Sequence, residues 1–380
     1  MSTEVPSLVQ ALSLIPDFRQ AQGRRYELLP VLILSCVAVM CGCRSESAIA
    51  DWGTNYGSSW LRKLGFKSAR GPSQSTLHRI FKGINHLLLE AALSHWAEQV
   101  VSLRPGCSTE QLVGLAIDGK TLCGSAKQGA DHTHLLSCLS QTLGIVLSQV
   151  AVADHSSEIL KVDDLLDGLV LKGKVLTGDA LLAQRSISES IVNRGGDYLL
   201  VVKDNQPQML EDIQMSFLDY WWLRDTIQEG GIVDQHGNRT HEWKLTASTL
   251  LDGYSKWPGL RQVLKLERRV SNKKSGEERR EMAYAITSLG PERASPVELI
   301  RLWRGHWGIE NRLHWVRDVT FDEDRSQVRA GHIPQVMAAF RNAAISLMRL
   351  MGAINIAAAC RRYAARPSLA LAAIGLDSGE

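Results

Sequence analysis

The chain has 380 residues, and its 43 lysines and arginines against 40 aspartates and glutamates give a formal net charge of +3 at pH 7. Hydrophobic residues make up 44% and charged residues 22% of the sequence, the balance of a water-soluble globular protein. This composition excludes a disordered chain, a collagen-like repeat and a polytopic membrane protein.

The length predicts two or three domains, because a domain usually contains roughly 100–200 residues. Seven cysteines without paired spacing do not indicate a disulfide framework. The start of the chain, MSTEVPSLVQ, lacks the charged-then-apolar layout of a secretory signal. We therefore expect a reducing, cytoplasmic location. The apolar residues 28–43 are fewer than the ~20 that cross a bilayer, so they predict a buried core helix and no membrane partner.

Residues 52–89 contain no aspartate or glutamate but carry the cations Arg62, Lys63, Lys67, Arg70, Arg79 and Lys82. Such a basic stretch indicates contact with a polyanion, because each neutralised phosphate releases counterions. A solvated helical face is the alternative. Within the stretch, Gly71-Pro72 followed by Ser73 or Ser75 as N-cap predicts a short helix that lies against DNA.

From about residue 111 the pattern changes to strands. LVGLAIDGKTL, LLSCLSQT and IVLSQVAVA predict three strands, residues 158–169 a helix, KVLTGDA a strand, AQRSISESIVNRGG a helix, and DYLLVVK a strand. This β-β-β-α-β-α-β order predicts an α/β fold, with a mixed sheet that has helices on its faces. Residues from about 205 to 290 alternate between polar and apolar, with a charged hairpin tip around Ser275-Gly276, and predict a β-rich insertion.

Two aspartates, Asp118 and Asp179, come at or just past the C-terminal ends of apolar strands. Catalytic groups of open α/β sheets gather at such positions, because the strand is rigid and its end is open to solvent. An aspartate in a tight turn is the alternative for each, since Asp-Gly is a common turn pair. The repeated context favours a function for both.

Ser295-Pro296 predicts the start of a helix that is rich in tryptophan, histidine and arginine. At about 100° per residue, an arc of about 80° contains Trp303, His306, Glu310, His314 and Arg317. This face suits a carboxylate that holds a metal ion while its neighbours contact phosphates. A surface helix with i,i+4 charge pairs is the alternative.

We assign catalysis and metal binding to the carboxylates Asp118, Asp179 and Glu310. Phosphodiester cleavage needs an activated water and a stabilised leaving alkoxide, which two Mg²⁺ ions ~3.5–4 Å apart provide. Oxygen ligands suit Mg²⁺, whereas histidine and cysteine ligands favour zinc.

Five segments carry a family resemblance: IPDFRQAQGRRYELLPVLILSCVAVMCGCRSESAIADWG near the N-terminus, then LAIDGKTL, LTGDALLAQ, GGDYLLVVKDNQ and HWGIENRLHWVRDVTFDEDRS. They resemble insertion-sequence DDE transposases, specifically the branch of the H-repeat-associated proteins found beside Rhs elements. The last segment is the most specific. Related transposases carry Tyr-x2-Arg-x3-Glu-x6-Lys around the glutamate, where this chain has Trp303, His306, Glu310 and Arg317.

The resemblance implies an RNase H-like catalytic fold with Asp118 on the first strand, Asp179 after the fourth and Glu310 on a late helix. It implies a helical N-terminal domain over residues 1–105 and a catalytic domain over residues 106–380. It also implies strand cleavage and transfer at inverted terminal repeats, with two Mg²⁺ or Mn²⁺ ions as cofactors. The implied partner is double-stranded DNA, which includes both the terminal repeats and the target. We expect a homo-oligomer on DNA, because two DNA ends must be brought together.

The predicted DNA contacts combine the basic stretch with the core motifs. They are Arg62, Lys63, Lys67, Arg79, Lys82, Lys120, Trp303, His306, Asn311, His314 and Arg317. Three functions stay open at this point: an active transposase, a decayed relative that only binds DNA, and a metal-dependent nuclease without strand transfer. The presence of all three acids favours the first.

Overall fold

The computed structural model describes residues 7–22, 24–103, 112–125, 132–152, 158–218 and 225–376. The chain divides into two compact units. The first unit comprises Met1–Ser108, Gly119–Leu169 and Ile309–Glu380, and the second comprises Thr109–Asp118 and Val170–Gly308.

The chain begins with six helices, continues through strands that alternate with helices, and ends in a group of helices. In chain order the elements are α1 (Leu8–Ser13), α2 (Leu28–Met40), α3 (Glu46–Asn55), α4 (Gly57–Lys63), α5 (Gln74–Gly83), α6 (His86–Leu103), β1 (Val113–Leu122), β2 (Thr133–Ser140), β3 (Val146–Val152), α7 (Glu158–Leu166), β4 (Lys174–Gly178), α8 (Arg185–Asn193), β5 (Asp197–Val202), α9 (Pro207–Met215), β6 (Ile227–His236), β7 (Arg239–Ser248), β8 (Gln262–Asn272), β9 (Glu278–Thr287), α10 (Pro296–His306), α11 (Trp315–Val319), α12 (Ile333–Leu350), α13 (Ile356–Ala365) and α14 (Pro367–Ile374).

The core of the first unit forms around α2 and α12. The apolar α2 is buried over almost its whole length, which confirms the predicted core helix. Helix α12 packs against α2, α5, α6 and β3, and β3 pairs with β2 in antiparallel register. Ser73 caps α5 through its side chain, as predicted. Within the described ranges, no helix combines the length and apolar character that crossing a membrane requires.

The second unit is built on a large mixed sheet with strand order β1-β4-β5-β9-β8-β7-β6. Strands β1, β4 and β5 are parallel, and helix α8 connects β4 to β5, whereas β5 and β9 and the neighbouring pairs among β6 to β9 are antiparallel. Helix α10 packs on β4, β6 and β7, and α8 packs on β5. The predicted mixed α/β sheet with flanking helices and the order of its elements are therefore confirmed.

The β-rich segment after α9 consists of β6 to β9. The turn between β8 and β9 contains Gly276 at φ 72°, where a residue with a side chain would be strained, so the predicted hairpin tip is confirmed.

Candidate active site

Asp118 lies inside β1, a strand that continues to Leu122. The expectation that this aspartate lies at or just past the end of its strand is therefore wrong, and so is its alternative, the tight Asp-Gly turn. The position on the first strand that the family resemblance implies is confirmed. The strand continues because its polar residues have partners: Lys120 forms an ion pair with Asp318 at 2.7 Å. Gly119 is required there, since a Cβ would lie 2.6 Å from His134 Nε2.

The strand register of the second unit brings two predicted catalytic residues close together. Strands β1 and β4 are parallel, and the last pair in their register is Ala116 with Thr177. Continuing this register by two residues would bring Asp118 opposite Asp179, which directly follows the end of β4. Neighbouring strands are ~4.8 Å apart and opposite residues face the same side of a sheet, so we expect the two carboxylates to be neighbours. Two adjacent negative charges favour a bound cation.

Asp179 is exposed, and a nearby backbone N–H holds its carboxylate in position. It directly follows β4 and caps the 3₁₀ turn Ala180–Leu182, with its Oδ1 accepting a hydrogen bond from the Leu181 N–H at 3.0 Å. Gly178 allows this sharp turn, because a Cβ there would approach Leu182 Cδ1 to 2.9 Å. The carboxylate is thus presented to solvent in a defined orientation.

Helix α10 places His306 beside the strand that leads to Asp179. The helix begins with a capping box between Ser295 and Glu298, as the Ser-Pro entry predicts. His306 Nδ1 lies 3.3 Å from the Thr177 hydroxyl, which donates to the Leu115 carbonyl at 3.1 Å. His306 is half-buried and well positioned, and its contact with DNA stays a prediction.

Trp303 does not have the position that its helical face predicts. Its side chain is only 6% exposed and packs in the apolar core of the second unit with Leu245 and Leu299. A tryptophan on the side of α10 that faces the sheet gains more from burial than from solvent contact. Trp303 is therefore corrected from a DNA contact to a core residue.

In the first unit, Glu310 and His314 form a pair on a π-helical turn, Glu310–His314. His314 Nδ1 lies 3.2 Å from Glu310 Oε2, and the Glu310 side chain is 52% exposed. The hydrogen bond with His314 lowers the pKa of the Glu310 carboxyl. Burial lowers the pKa of His314, which is 3% exposed. Glu310 is therefore an ionised carboxylate at the surface, and His314 is corrected from a phosphate contact to its buried partner.

Arg317 is completely buried, so its predicted DNA contact is also corrected. Its Nε donates to Glu323 Oε2 at 2.6 Å and its Nη1 to Gln149 Oε1 at 3.2 Å. Glu323 also accepts from Arg341 Nη1 at 2.5 Å. The π-helical turn changes the helical period, which explains why a constant rotation per residue placed Arg317 on the same face as Glu310.

Lys120 is 9% exposed and lies 2.7 Å from Asp318 and 3.8 Å from Asp324. An ion-paired, buried lysine is not available to DNA in this conformation, and Lys120 is corrected as well. Asn311 is exposed, as are the neighbouring Trp307 at 62% and Trp315 at 54%, so the predicted DNA contact at Asn311 stands as a prediction.

Sequence patterns did not predict Glu323, Arg341 and Gln149, which form a buried hydrogen-bond network with Arg317. The acidic and basic residues of the FDEDRS segment could have indicated this network, because charges on a segment between core helices often pair with one another when buried.

The cations of the basic stretch are all exposed: Arg62, Lys63, Lys67, Arg79 and Lys82. Lys67 forms an ion pair with Glu27 at 2.5 Å, but its side chain is 86% exposed. Lys63 lies over the Trp60 ring at 5.6 Å. These side chains are accessible to a polyanion, and their contact with DNA stays a prediction.

We expect that changing Arg62, Lys63 and Lys67 together to glutamine weakens binding to duplexes of any sequence. The slope of log affinity against log salt should fall by about 0.9 for each phosphate contact that is lost. A salt titration by fluorescence polarisation measures both quantities.

The control removes the same charge from three other exposed cations. It changes Lys161, Lys172 and Arg279 to glutamine. If the two triple variants have the same salt slope, net charge and not the basic stretch determines binding.

Comparisons with known proteins find relatives over nearly the whole chain. The family model described as "DDE_Tnp_1-associated" matches residues 9–97. The family model described as "Transposase DDE domain" matches residues 110–347.

Two curated proteins match over most of their lengths. "Putative transposase YncI" of Escherichia coli O157:H7 is 30% identical over 354 residues, which cover 91% of this chain and 88% of that protein. "H repeat-associated putative transposase YhhI" of Escherichia coli (strain K12) is 28% identical over 356 residues, which cover 91% of each chain. A solved structure, "Cryo-EM structure of piggyBac transposase synaptic complex with hairpin DNA (SNHP)", aligns with a TM-score of 0.43 and 10% identity over 98% of this chain and 78% of that chain. A likeness this distant supports no statement about fold or function.

Proposed function

Because the chain belongs to the DDE transposase family, we propose that it cleaves DNA at the inverted terminal repeats of an insertion sequence and transfers the ends to target DNA. The observation that carries the proposal is the parallel register of β1 and β4, whose last pair, Ala116 with Thr177, comes two residues before Asp118 and Asp179. The catalytic fold is proposed to be RNase H-like, within residues 106–380, with the β-rich insertion at about 205–290 and a helical DNA-binding domain over residues 1–105.

We propose Asp118, Asp179 and Glu310 as ligands of two Mg²⁺ or Mn²⁺ ions. The donor chemistry fits, because each residue offers carboxylate oxygens and at least part of each side chain reaches solvent. When bound, such ions lower the pKa of water and stabilise the charge of the leaving oxygen.

The chain's own residues orient these carboxylates. The Leu181 N–H restrains Asp179, and β1 carries Asp118 on a paired strand. A hydrogen bond between His314 Nδ1 and the Glu310 carboxylate holds that carboxylate in place, and burial fixes the His314 side chain itself. Such support keeps ligands close to the geometry that metal binding needs.

The proposed partner is double-stranded DNA, both the terminal repeats and the target. The support is the exposed basic stretch, whose charge suits the phosphate backbone without regard to sequence. Strand transfer joins two DNA ends to one target, so we propose a homo-oligomer as the active form.

The direct test incubates the purified chain with Mg²⁺ and DNA that carries the element's two ends. Strand-transfer products on a sequencing gel support the proposal. Cleavage without joining would instead indicate a nuclease, and binding without cleavage a catalytically decayed relative. Omission of Mg²⁺ should prevent both cleavage and joining.

His314→Gln is expected to lower the affinity for Mn²⁺ by about 10- to 100-fold, because the partners of metal ligands typically contribute that much. The Mn²⁺ signal in electron paramagnetic resonance measures the affinity at pH 7. His95→Gln makes the same change at an exposed histidine of α6 and should leave the affinity unaltered. Equal affinity in the His314 variant and the wild type would contradict the role of His314.

A further inference from the structure

The first unit contains an open groove of about 840 Å³ that none of the residues proposed above lines. The beginnings of α3 and α5 form one part of the lining, and Asp322 with residues 325–330 forms the other. These residues follow the segment that carries Glu310, and we call the cavity the 322–330 groove.

Three of the thirteen residues that line this groove are arginines. Arg44, Arg325 and Arg329 all border it, and Arg325 is 86% exposed. Two acids also line it, Asp322 and Glu46, and Glu46 is 5% exposed and lies 3.2 Å from His78. Cations therefore exceed acids in the lining, and the accessible cations are guanidinium groups, which suit the geometry of phosphate oxygens.

Asp322 bridges two of these arginines, but weakly. One of its carboxylate oxygens lies 3.7 Å from Arg44 Nη1 and the other lies 3.7 Å from Arg325 Nε. The side chain of Arg44 is 52% exposed. Exposed ion pairs at such a distance stabilise a protein little, so an incoming phosphate competes with the Asp322 carboxylate on favourable terms.

The backbone at Asp322 is in the left-handed region, with φ 53° and ψ 40°. In the parts of the chain that the structure describes, Asp322 is the only residue other than glycine with a positive φ. Aspartate and asparagine tolerate this conformation better than other residues do. A change of Asp322 to asparagine therefore removes the charge without adding backbone strain.

Two helix N-termini reinforce the cationic lining. Ser45 caps α3 and Ser73 caps α5, and Ser45 and Gln74 line the groove. Both helices have 10 residues, so each presents the positive end of a helix dipole. This effect adds to the arginines and does not replace them.

We propose that the 322–330 groove binds the phosphate backbone of duplex DNA, with Arg44 and Arg325 exchanging the Asp322 carboxylate for phosphates. The proposal rests on the proposed function, since it names a further DNA contact of the same enzyme. The groove adjoins the basic stretch, because Gln74 and His78 line it, and the contact makes Asp322 a competitor for DNA.

The test measures the affinity for a duplex of the element's end over a range of salt. Arg44→Gln with Arg325→Gln should weaken binding about 30-fold near 0.15 M salt and lower the salt slope by about 1.8, as expected for two lost phosphate contacts. Asp322→Asn should change the affinity in the opposite direction and tighten binding by up to about five-fold, the effect of one unit of charge. Lys161→Gln, an exposed cation outside the groove lining, should change neither quantity by as much.

The combined variant gives the sharpest result. If Asp322 acts through Arg44 and Arg325, the gain from Asp322→Asn should disappear when both arginines are changed. A gain that persists, or an unchanged affinity of the arginine variant with an intact melting curve, overturns the groove proposal. A wild-type chain that does not bind duplex DNA at all overturns the proposed function instead.

Discussion

An Asp118→Asn chain is expected to lose Mg²⁺-dependent strand cleavage by about a thousand-fold while it keeps its affinity for DNA. Loss of a metal ligand removes about 4 kcal/mol of transition-state stabilisation, and each 1.4 kcal/mol is about ten-fold in rate. The basic stretch and the 322–330 groove remain, so binding should persist. Single-turnover cleavage with saturating protein measures the rate separately from the affinity.

The matched control for this variant is Asp204→Asn. Asp204 is exposed after β5 as Asp179 is exposed after β4, so the control removes a carboxylate from the equivalent end of the next parallel strand. We expect wild-type cleavage from it. Residues that act as one unit are not additive, so Asp118→Asn with Asp179→Asn should be hardly slower than either change alone. Retained cleavage in the Asp118 variant would contradict the assignment of the metal ligands.

The central sheet was predictable because its strands have strong local signals. Runs such as KVLTG and DYLLVV are buried on both faces, and this burial requires continuous apolar sequence. The end of β1 was harder, because Lys120 and Thr121 are polar yet remain in the strand. Their partners, Asp318 and His134, lie on other segments of the chain, so only the tertiary structure explains why the strand continues.

The sequence predicts the elements that carry the three acids of the candidate site, but it predicts the positions of the residues around them much less well. Asp118, Asp179 and Glu310 lie on the predicted elements, a strand, a strand end and a late helix. For Arg317, the error lay in treating the helical segment after α10 as regular. A π-helical turn at Glu310–His314 shifts the residues that follow it, and Arg317 is consequently a core residue. Trp303 precedes this turn and is buried because it lies on the side of α10 that faces the sheet. One extra residue in a turn leaves no clear trace in hydrophobic periodicity.

Glu323→Gln is expected to cause the largest loss of stability in the first unit. The side chains of Arg317 and Arg341 are 0% and 2% exposed, and Glu323 accepts hydrogen bonds from both. Removal of the carboxylate between two buried guanidinium groups costs about 3–5 kcal/mol, because both charges lose their counterion in a poorly solvated site. The thermal unfolding midpoint should fall by roughly 10 °C at pH 7. Glu189→Ala, an exposed glutamate on α8, should change it little.

The pH dependence of this loss has a defined sign. Burial acts to raise the pKa of the Glu323 carboxyl, but the charges of Arg317 and Arg341 outweigh it and hold the pKa below the ordinary value of 4.5. A carboxyl with a lowered pKa stabilises the folded state above the ordinary value, and this contribution is lost as the pH falls through the folded-state pKa. The difference between wild type and Glu323→Gln should therefore be full at pH 7 and shrink below about pH 4.5.

A triple variant separates the cost of an unpaired charge from the net value of the network. Arg317→Met, Glu323→Leu and Arg341→Met together replace the ions by apolar side chains of similar length. Apolar replacement of a whole buried ion network is often neutral or stabilising by about 1–4 kcal/mol, so the triple variant should recover most of the lost melting temperature. Gln149 keeps its bond from Asn342 at 2.8 Å, but the Arg44 carbonyl loses its bond from Arg341. If the triple variant recovers its stability but binds DNA more weakly, the network positions Arg44 at the groove. If the triple variant is as unstable as Glu323→Gln, the ions themselves stabilise the unit.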